Sequence, residues 1–247
     1  MCDIWKANAD RRELSPGELA GHVEAISRLH VQRVMLTGGE PLLHSNLWAL
    51  CDQLRQARIR VTLVTTGMLI EPHAAAIARA VDTVVISLDG PSETHDRIRR
   101  VKGGFEKIVR GVVALRAQTP APRLIARSVV QHENFARLDQ TIAAARRVGF
   151  DEVSFLAADV SSTAFNRPDG WPADRQAEVA VSAGALNAFA HAIETARAGE
   201  ATSLADGFVV GGAASLHRIH RYYRAVAGLD AFPAVRCNAP WVSAVLE

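Results

Sequence analysis

Five short β-branched runs alternate with amphipathic helical patterns over the first two-thirds of the chain, and few folds tolerate that order. The runs lie at residues 33–36, 60–65, 83–88, 124–130 and 152–156. Each is almost unbroken in apolar character, as a strand is when both faces are covered; a strand with one wet face alternates instead. Leu19, Val23, Ile26 and Leu29 share one helical face, and so do Leu47, Trp48, Cys51 and Leu54. Ile77 among alanines marks a third helix, Phe105, Ile108, Val112 and Leu115 a fourth, and Phe135, Leu138, Ile142 and Val148 a fifth. Ser15-Pro16 opens the first helix, Glu71-Pro72 the third, and Gly149 closes the fifth. Parallel strands require such crossovers, and crossovers within one sheet are right-handed, so the repeat winds a sheet in one direction. Five strands do not close a barrel, and the first helix has no strand ahead of it. The expected fold is α/β: an incomplete β/α barrel over residues 1–157, short of its first strand.

A loop rich in Ser, Asp, Pro, Gly and Asn follows at 158–174. Helices are expected at 182–198 and 211–226, the second with Leu216, Ile219, Tyr223 and Val226 turned inward, so 158–235 reads as a loop and helical extension. Residues 236–247 open on Cys237 and pass into a strand-like alternation at 242–246. A chain of 247 residues that is 49% hydrophobic can bury a sizeable core. Its 28 basic and 26 acidic residues leave a net charge of +2, which gives no reason to expect nucleic acid as a partner. No apolar run reaches the ~18 residues of a membrane span. Cys2-Asp3-Ile4-Trp5-Lys6 lacks the apolar core of a secretory signal, and the cytoplasm is the expected compartment. Cys2, Cys51 and Cys237 are too few for a disulfide scaffold and form no local zinc pattern. Cys51 lies on an apolar helix face and reads as core. His217 and His220 have a metal-compatible spacing, but Arg218, Arg221 and Arg224 beside them mark a solvated basic face.

Ligands of a β/α barrel bind where strands end and loops begin. The first run exits into Gly38-Gly39-Glu40-Pro41, two glycines that let the backbone approach a ligand and a carboxylate for a cationic group. The second exits into Thr65-Thr66-Gly67, the third into Ser87-Leu88-Asp89-Gly90-Pro91, and the fourth carries Arg127 and Ser128. Polar groups of both signs therefore converge on one rim. Plainer roles exist for each. Gly-Gly is often only a turn, and Ser87 and Asp89 are also helix-capping types. Arg127 needs an anion if its face is the barrel interior, and a salt-bridge partner if it faces outward.

Residues 37–41, Thr-Gly-Gly-Glu-Pro, resemble the Gly-Gly-Glu motif of the radical S-adenosylmethionine (radical SAM) enzymes. Ser87-Leu88-Asp89-Gly90-Pro91 with His95, Asp96 and Arg99 is similar to the subgroup that carries auxiliary iron–sulfur clusters in a C-terminal SPASM or twitch domain. Cys2-Asp3-Ile4-Trp5 resembles the last cysteine of that family's Cys-x3-Cys-x2-Cys loop, and the segment from Cys237 resembles the opening of the auxiliary domain. The resemblance implies a partial (β/α)6 TIM-like barrel and a [4Fe–4S] cluster held by three cysteine thiolates. It further implies reductive cleavage of SAM to a 5′-deoxyadenosyl radical that takes hydrogen from a substrate. Gly38, Gly39 and Glu40 would then contact the methionine amino group, Ser87 and Asp89 the ribose or carboxylate, and Arg127 the carboxylate, with Pro41 and Thr66 also part of the cofactor-binding site. Cys2 and Cys237 would be iron ligands, the latter in an auxiliary cluster. The substrate would be a peptide, a protein side chain or a small metabolite, and the electron donor a protein such as a flavodoxin or ferredoxin. Two of the three expected cluster cysteines, with the first strand, are expected ahead of Met1, and the rest of the auxiliary domain beyond Glu247. Two other readings stand beside this one. A non-catalytic barrel remnant would bind SAM or a partner without a cluster. A phosphate-handling barrel lyase would want a glycine-rich loop after the last strands, where Ala157-Ala158-Asp159 offers none.

Overall fold

The computed structural model describes residues 12–164, 167, 169–234 and 243. Cys2, Cys237 and all of 236–247 except Ser243 lie outside them. The first helix, α1 (Pro16–Arg28), starts where its sequence says it should. Ser15 Oγ accepts from Glu18 N–H at 3.2 Å, and Glu18 accepts from Ser15 N–H at 2.8 Å, so two free donors of the first turn are satisfied reciprocally. These bonds hold the Glu18 carboxyl at a pKa of about 2. Five strands follow: β1 (Arg33–Leu36), β2 (Arg60–Thr65), β3 (Thr83–Ser87), β4 (Arg123–Val130) and β5 (Glu152–Ala157). They pair in the order β1-β2-β3-β4-β5, every pair parallel. Each new strand adds to the same growing edge, as in an unclosed barrel. Beyond β5, Val153 N–H donates to Phe208 O at 2.8 Å and Val210 N–H donates to Val153 O at 2.9 Å, a one-residue parallel bridge on the far edge.

The crossovers are α2 (Leu47–Gln56), α3 (Ile70–Ala80), the pair α4 (Ser92–Arg99) and α5 (Gly104–Arg116), and α6 (Leu138–Val148). Leu54, Ile77, Ile108 and Ile142 from these helices are fully buried in one cluster with Leu63, Ile86 and Leu124 of the strands. Each such side chain contributes ~1.5–3 kcal/mol by leaving water. Cys51 belongs to that core, and burial pushes its thiol pKa up to about 11. Along β4, Leu124, Ala126, Ser128 and Val130 are buried, while Ile125, Arg127 and Val129 are only half-buried. Helices thus cover one face of the sheet, and the other, the inner face of the open barrel, stays partly accessible.

The remaining helices are α7 (Ala173–Val179), α8 (Leu186–Gly199), α9 (Ala201–Ala205) and α10 (Gly212–Val226). Phe189 of α8 and Tyr223 of α10 are fully buried, with ring centroids 6.3 Å apart. The Tyr223 hydroxyl donates to Val130 O at 2.6 Å and accepts from Ala158 N–H at 3.0 Å, which fastens α10 to the ends of β4 and β5. Half-barrel and extension share one hydrophobic cluster.

Several expectations shift. Leu29 lies past the last turn of α1 and is 75% exposed, so it has no inward role. Phe135 sits in a 3-10 turn (Phe135–Arg137) ahead of α6. The helix expected at 182–198 begins only at Leu186, after the 3-10 turn Ala183–Ala185. Helix α4 had no apolar stripe to announce it, because Ser-Glu-Thr-His-Asp-Arg-Ile-Arg buries mainly Thr94 and His95. Arg167, only 2% exposed, stacks over Trp171 at 4.6 Å and donates to Asp159 and Ala164.

Helices α3 and α5 approach closely because Gly111 has no side chain: a Cβ there would meet Ile70 Cβ at 2.9 Å. In an open helix alanine is better than glycine by ~1 kcal/mol, but overpacking a tight contact costs ~1–3 kcal/mol. Gly111→Ala is therefore expected to lower the urea midpoint of unfolding; a raised midpoint would contradict this packing.

Candidate cofactor site at the strand exits

Register decides which side chains share the inner face. Ser87 of β3 is level with Arg127 of β4, and Arg127 with Ser154 of β5. Thr65 of β2 is level with Ile86, so Thr66 extends the same row by one strand. The row Thr66, Ser87, Arg127, Ser154 crosses the sheet at its C-terminal end, where barrel ligands bind. Ser154 escaped the sequence reading: a lone serine between Val153 and Phe155 has no signature of its own.

Arg127 is the electrostatic centre of that row. Its Nε donates to Ser154 Oγ at 3.4 Å, the long end of hydrogen bonding, and no carboxylate of a described residue pairs with it. Burial pulls its pKa downward. A guanidinium removed from water without a counter-charge is costly, and an anion at this place offsets that cost. Arg127 lies on the face of β4 opposite the buried Leu124, Ala126, Ser128 and Val130. The Ser87 hydroxyl makes no hydrogen bond to any described residue.

The exit of β1 forms the other side. Gly38 has φ +138°, a conformation L side chains rarely adopt, and a Cβ at Gly38 or Gly39 would meet no atom of a described residue within 4 Å. Among the described residues the two glycines thus border open space. Glu40 turns back into the protein. Its Oε1 accepts from Leu42 N–H at 3.2 Å and Thr65 Oγ1 at 2.7 Å, and its Oε2 accepts from Thr66 N–H at 2.9 Å and from Thr66 Oγ1. A carboxylate has about four acceptor sites, and all four are engaged. Glu40 therefore clamps the exit of β1 onto that of β2 and lends negative charge to the glycine loop. Pro41 is buried as the first residue of the 3-10 turn Pro41–Leu43. Thr66 is both a member of the row and a donor to Glu40.

Asp89 departs from its expected role. It is 0% exposed and presents no oxygen to the cleft. Its Oδ2 takes Arg99 Nε at 2.6 Å and its Oδ1 takes Val129 N–H at 3.0 Å. The motif downstream is equally inward. Asp96 accepts from Gly103 N–H at 2.6 Å and Phe105 N–H at 2.8 Å, capping α5. His95 is fully buried, its pKa lowered by that burial, with Nδ1 accepting from Asp89 N–H at 3.3 Å. The proposed iron ligands Cys2 and Cys237 fall outside the described residues. Among the described residues no three His, Cys, Asp or Glu side chains gather as a metal site. No described helix is long and apolar enough to cross a membrane.

Among the described residues the cleft thus pairs a cation lacking a counter-ion with an open glycine loop of negative character, a set of groups suited to the carboxylate and ammonium of an amino acid. SAM carries both groups on its methionine part, and the residues present fit it. Comparison with known proteins points the same way. At 35% identity over 151 residues, the chain is similar to the mycofactocin maturase MftC of Mycolicibacterium smegmatis, the match covering 60% of this chain and 38% of that protein. It is 29% identical over 140 residues to the AdoMet-dependent heme synthase of Methanosarcina barkeri, covering 56% of this chain and 40% of the other. The chain thus spans about two-fifths of the length of these relatives. Among solved structures, native anSMEcpe with bound AdoMet shares the fold at a TM-score of 0.58 and 15% identity, over 86% of this chain and 58% of that one. A family model of the radical SAM superfamily matches residues 1–145, well over half of the sequence, and the chain belongs to that superfamily.

Proposed function

We propose that this chain is the barrel of a radical SAM enzyme, which binds the methionine part of SAM across the exits of β1 to β4. The observation that supports this most is Arg127, a half-buried cation with no carboxylate partner among the described residues, in register with Ser87, whose hydroxyl bonds no described residue. In this reading the Arg127 guanidinium takes the cofactor's carboxylate in a charge-assisted pair. The backbone at Gly38 and Gly39 faces the ammonium, and the Glu40 carboxylate behind it supplies the attracting charge. Ser87 offers its hydroxyl to the ribose or carboxylate, and Thr66 Oγ1, whose proton goes to Glu40, accepts from a ribose hydroxyl. When bound, SAM and a [4Fe–4S] cluster supply the chemistry, a one-electron cleavage that yields a hydrogen-abstracting 5′-deoxyadenosyl radical. The chain's residues orient the cofactor and hold it against the open face of the sheet. Cys2 is proposed as a ligand of that cluster and Cys237 of an auxiliary one, with a flavodoxin- or ferredoxin-like protein as electron donor. The substrate is proposed to be a peptide, a protein side chain or a small metabolite. The matched relatives include a maturase and a heme synthase, and a structure of anSMEcpe, alike in fold at a TM-score of 0.55, holds a peptide.

Anaerobic reconstitution with iron and sulfide of a form carrying the complete Cys-x3-Cys-x2-Cys loop, followed by reduction in the presence of SAM, tests the whole reading. The expected product is 5′-deoxyadenosine; SAM binding without it would leave the non-catalytic remnant standing. Two substitutions probe the site itself. Gly39→Ala adds a methyl group into open space, so unfolding should change by no more than ~0.5 kcal/mol, while the dissociation constant for SAM by equilibrium dialysis rises at least about tenfold, or ~1.4 kcal/mol. Arg127→Gln should also weaken SAM about tenfold or more, yet leave 5′-methylthioadenosine, which has no carboxylate, within about twofold. Removing a desolvated cation should not lower the thermal midpoint. Equal weakening of both ligands would remove Arg127 from the carboxylate role.

A further inference from the structure

The main-chain ladder between β3 and β4 stops at the level of the site. Leu88 N–H donates to Arg127 O at 2.9 Å, the last main-chain bond between the two. Gly90, at φ +155°, then leads the chain away into α4. Strand β4 runs on for three more residues, and the next donor facing the vacated side is Val129 N–H. Asp89 fills the gap with its side chain: Oδ1 accepts from Val129 N–H at 3.0 Å in place of the carbonyl a longer β3 would have supplied. Asn134 does the converse, its Nδ2 donating to Asp89 O at 2.9 Å and Val129 O at 3.1 Å.

Every polar group of Asp89 is thereby used. Its N–H meets His95 Nδ1, its carbonyl Asn134, one carboxylate oxygen Val129, and the other Arg99 Nε at 2.6 Å. Arg99 is 23% exposed and supplies the compensating charge from α4. Two consequences follow for Arg127, two residues before Val129 on the same strand face. The strand carrying it is held on the β3 side beyond the point where the ladder ends. The buried Asp89 charge is also neutralised by Arg99, so it does not serve as a counter-ion to Arg127 and the guanidinium stays available.

We propose that Asp89, together with Arg99, is a positioning residue: it fixes the exit of β4 and so holds the Arg127 guanidinium where a carboxylate can reach it. This rests on the reading of Arg127 given above. The test compares the affinities of SAM and decarboxylated SAM, which differ only in the carboxylate, on protein shown to be folded by circular dichroism. Arg127→Gln is expected to abolish the preference for SAM; if it does not, the Arg127 reading fails, and this proposal with it. Given that loss, Asp89→Asn should reduce the preference at least about fivefold with 5′-methylthioadenosine within about twofold, and should have no further effect in the Arg127→Gln background. Amide exchange at Val129 should quicken in the same variant. Should Asp89→Asn not fold, Arg99→Gln, at a partly exposed site, is expected to show the same selective loss. A folded variant that keeps the full preference, or that weakens all three ligands equally, overturns the proposal.

Discussion

Parallel pairing gives neighbouring strands one register, and everything proposed for this chain depends on it. Because Ser87, Arg127 and Ser154 are partners in that register, their side chains leave the sheet on one face and at one height. A slip of one residue would send Arg127 into the helix-packed layer now filled by Ala126 and Ser128, where a guanidinium has no place. Ile86, Leu63 and Leu124 hold the register by filling that layer without gaps. Hydrophobic packing on one side of the sheet therefore sets polar geometry on the other.

Glu40 and Asp89, two described carboxylates at the strand exits, are spent on architecture. Glu40 ties the first strand exit to the second, and Asp89 ties the third to the fourth. Each substitutes for main-chain bonds at a level where parallel strands diverge into loops. The arrangement leaves the inner face with a positive centre at Arg127 and a negative background behind the glycine loop, a separation that matches a zwitterion better than a simple anion. Charge distribution here follows from which acids are consumed internally, and proximity alone would not reveal it.

Much of this was legible in the sequence. All five strands could be placed because both of their faces are apolar, and the helices at 47–54 and 105–115 because their stripes are clean. Gly38-Gly39-Glu40-Pro41 stood out by its glycines and its position after a strand. What stayed hidden has physical causes. Helix α4 is almost wholly polar, since its job is to supply His95, Asp96 and Arg99 to neighbours rather than to cover a core. Asp89 read as a ligand because a sequence shows a carboxylate at a strand end and not the Val129 N–H lying 40 positions away. Ser154 and Asn134 act through tertiary neighbours that no local pattern encodes.

The hydroxyl of Tyr223 joins a helix of the extension to two strand ends that lie 65 and 93 residues earlier in the chain. Severing that helix would strand a buried carbonyl at Val130 and a buried amide at Ala158, and uncover the rings around Phe189. The extension is consequently no detachable appendage of the half-barrel. The two are therefore expected to melt as one cooperative unit, and the outer helices are free to diverge only on the faces that leave this tyrosine its two partners.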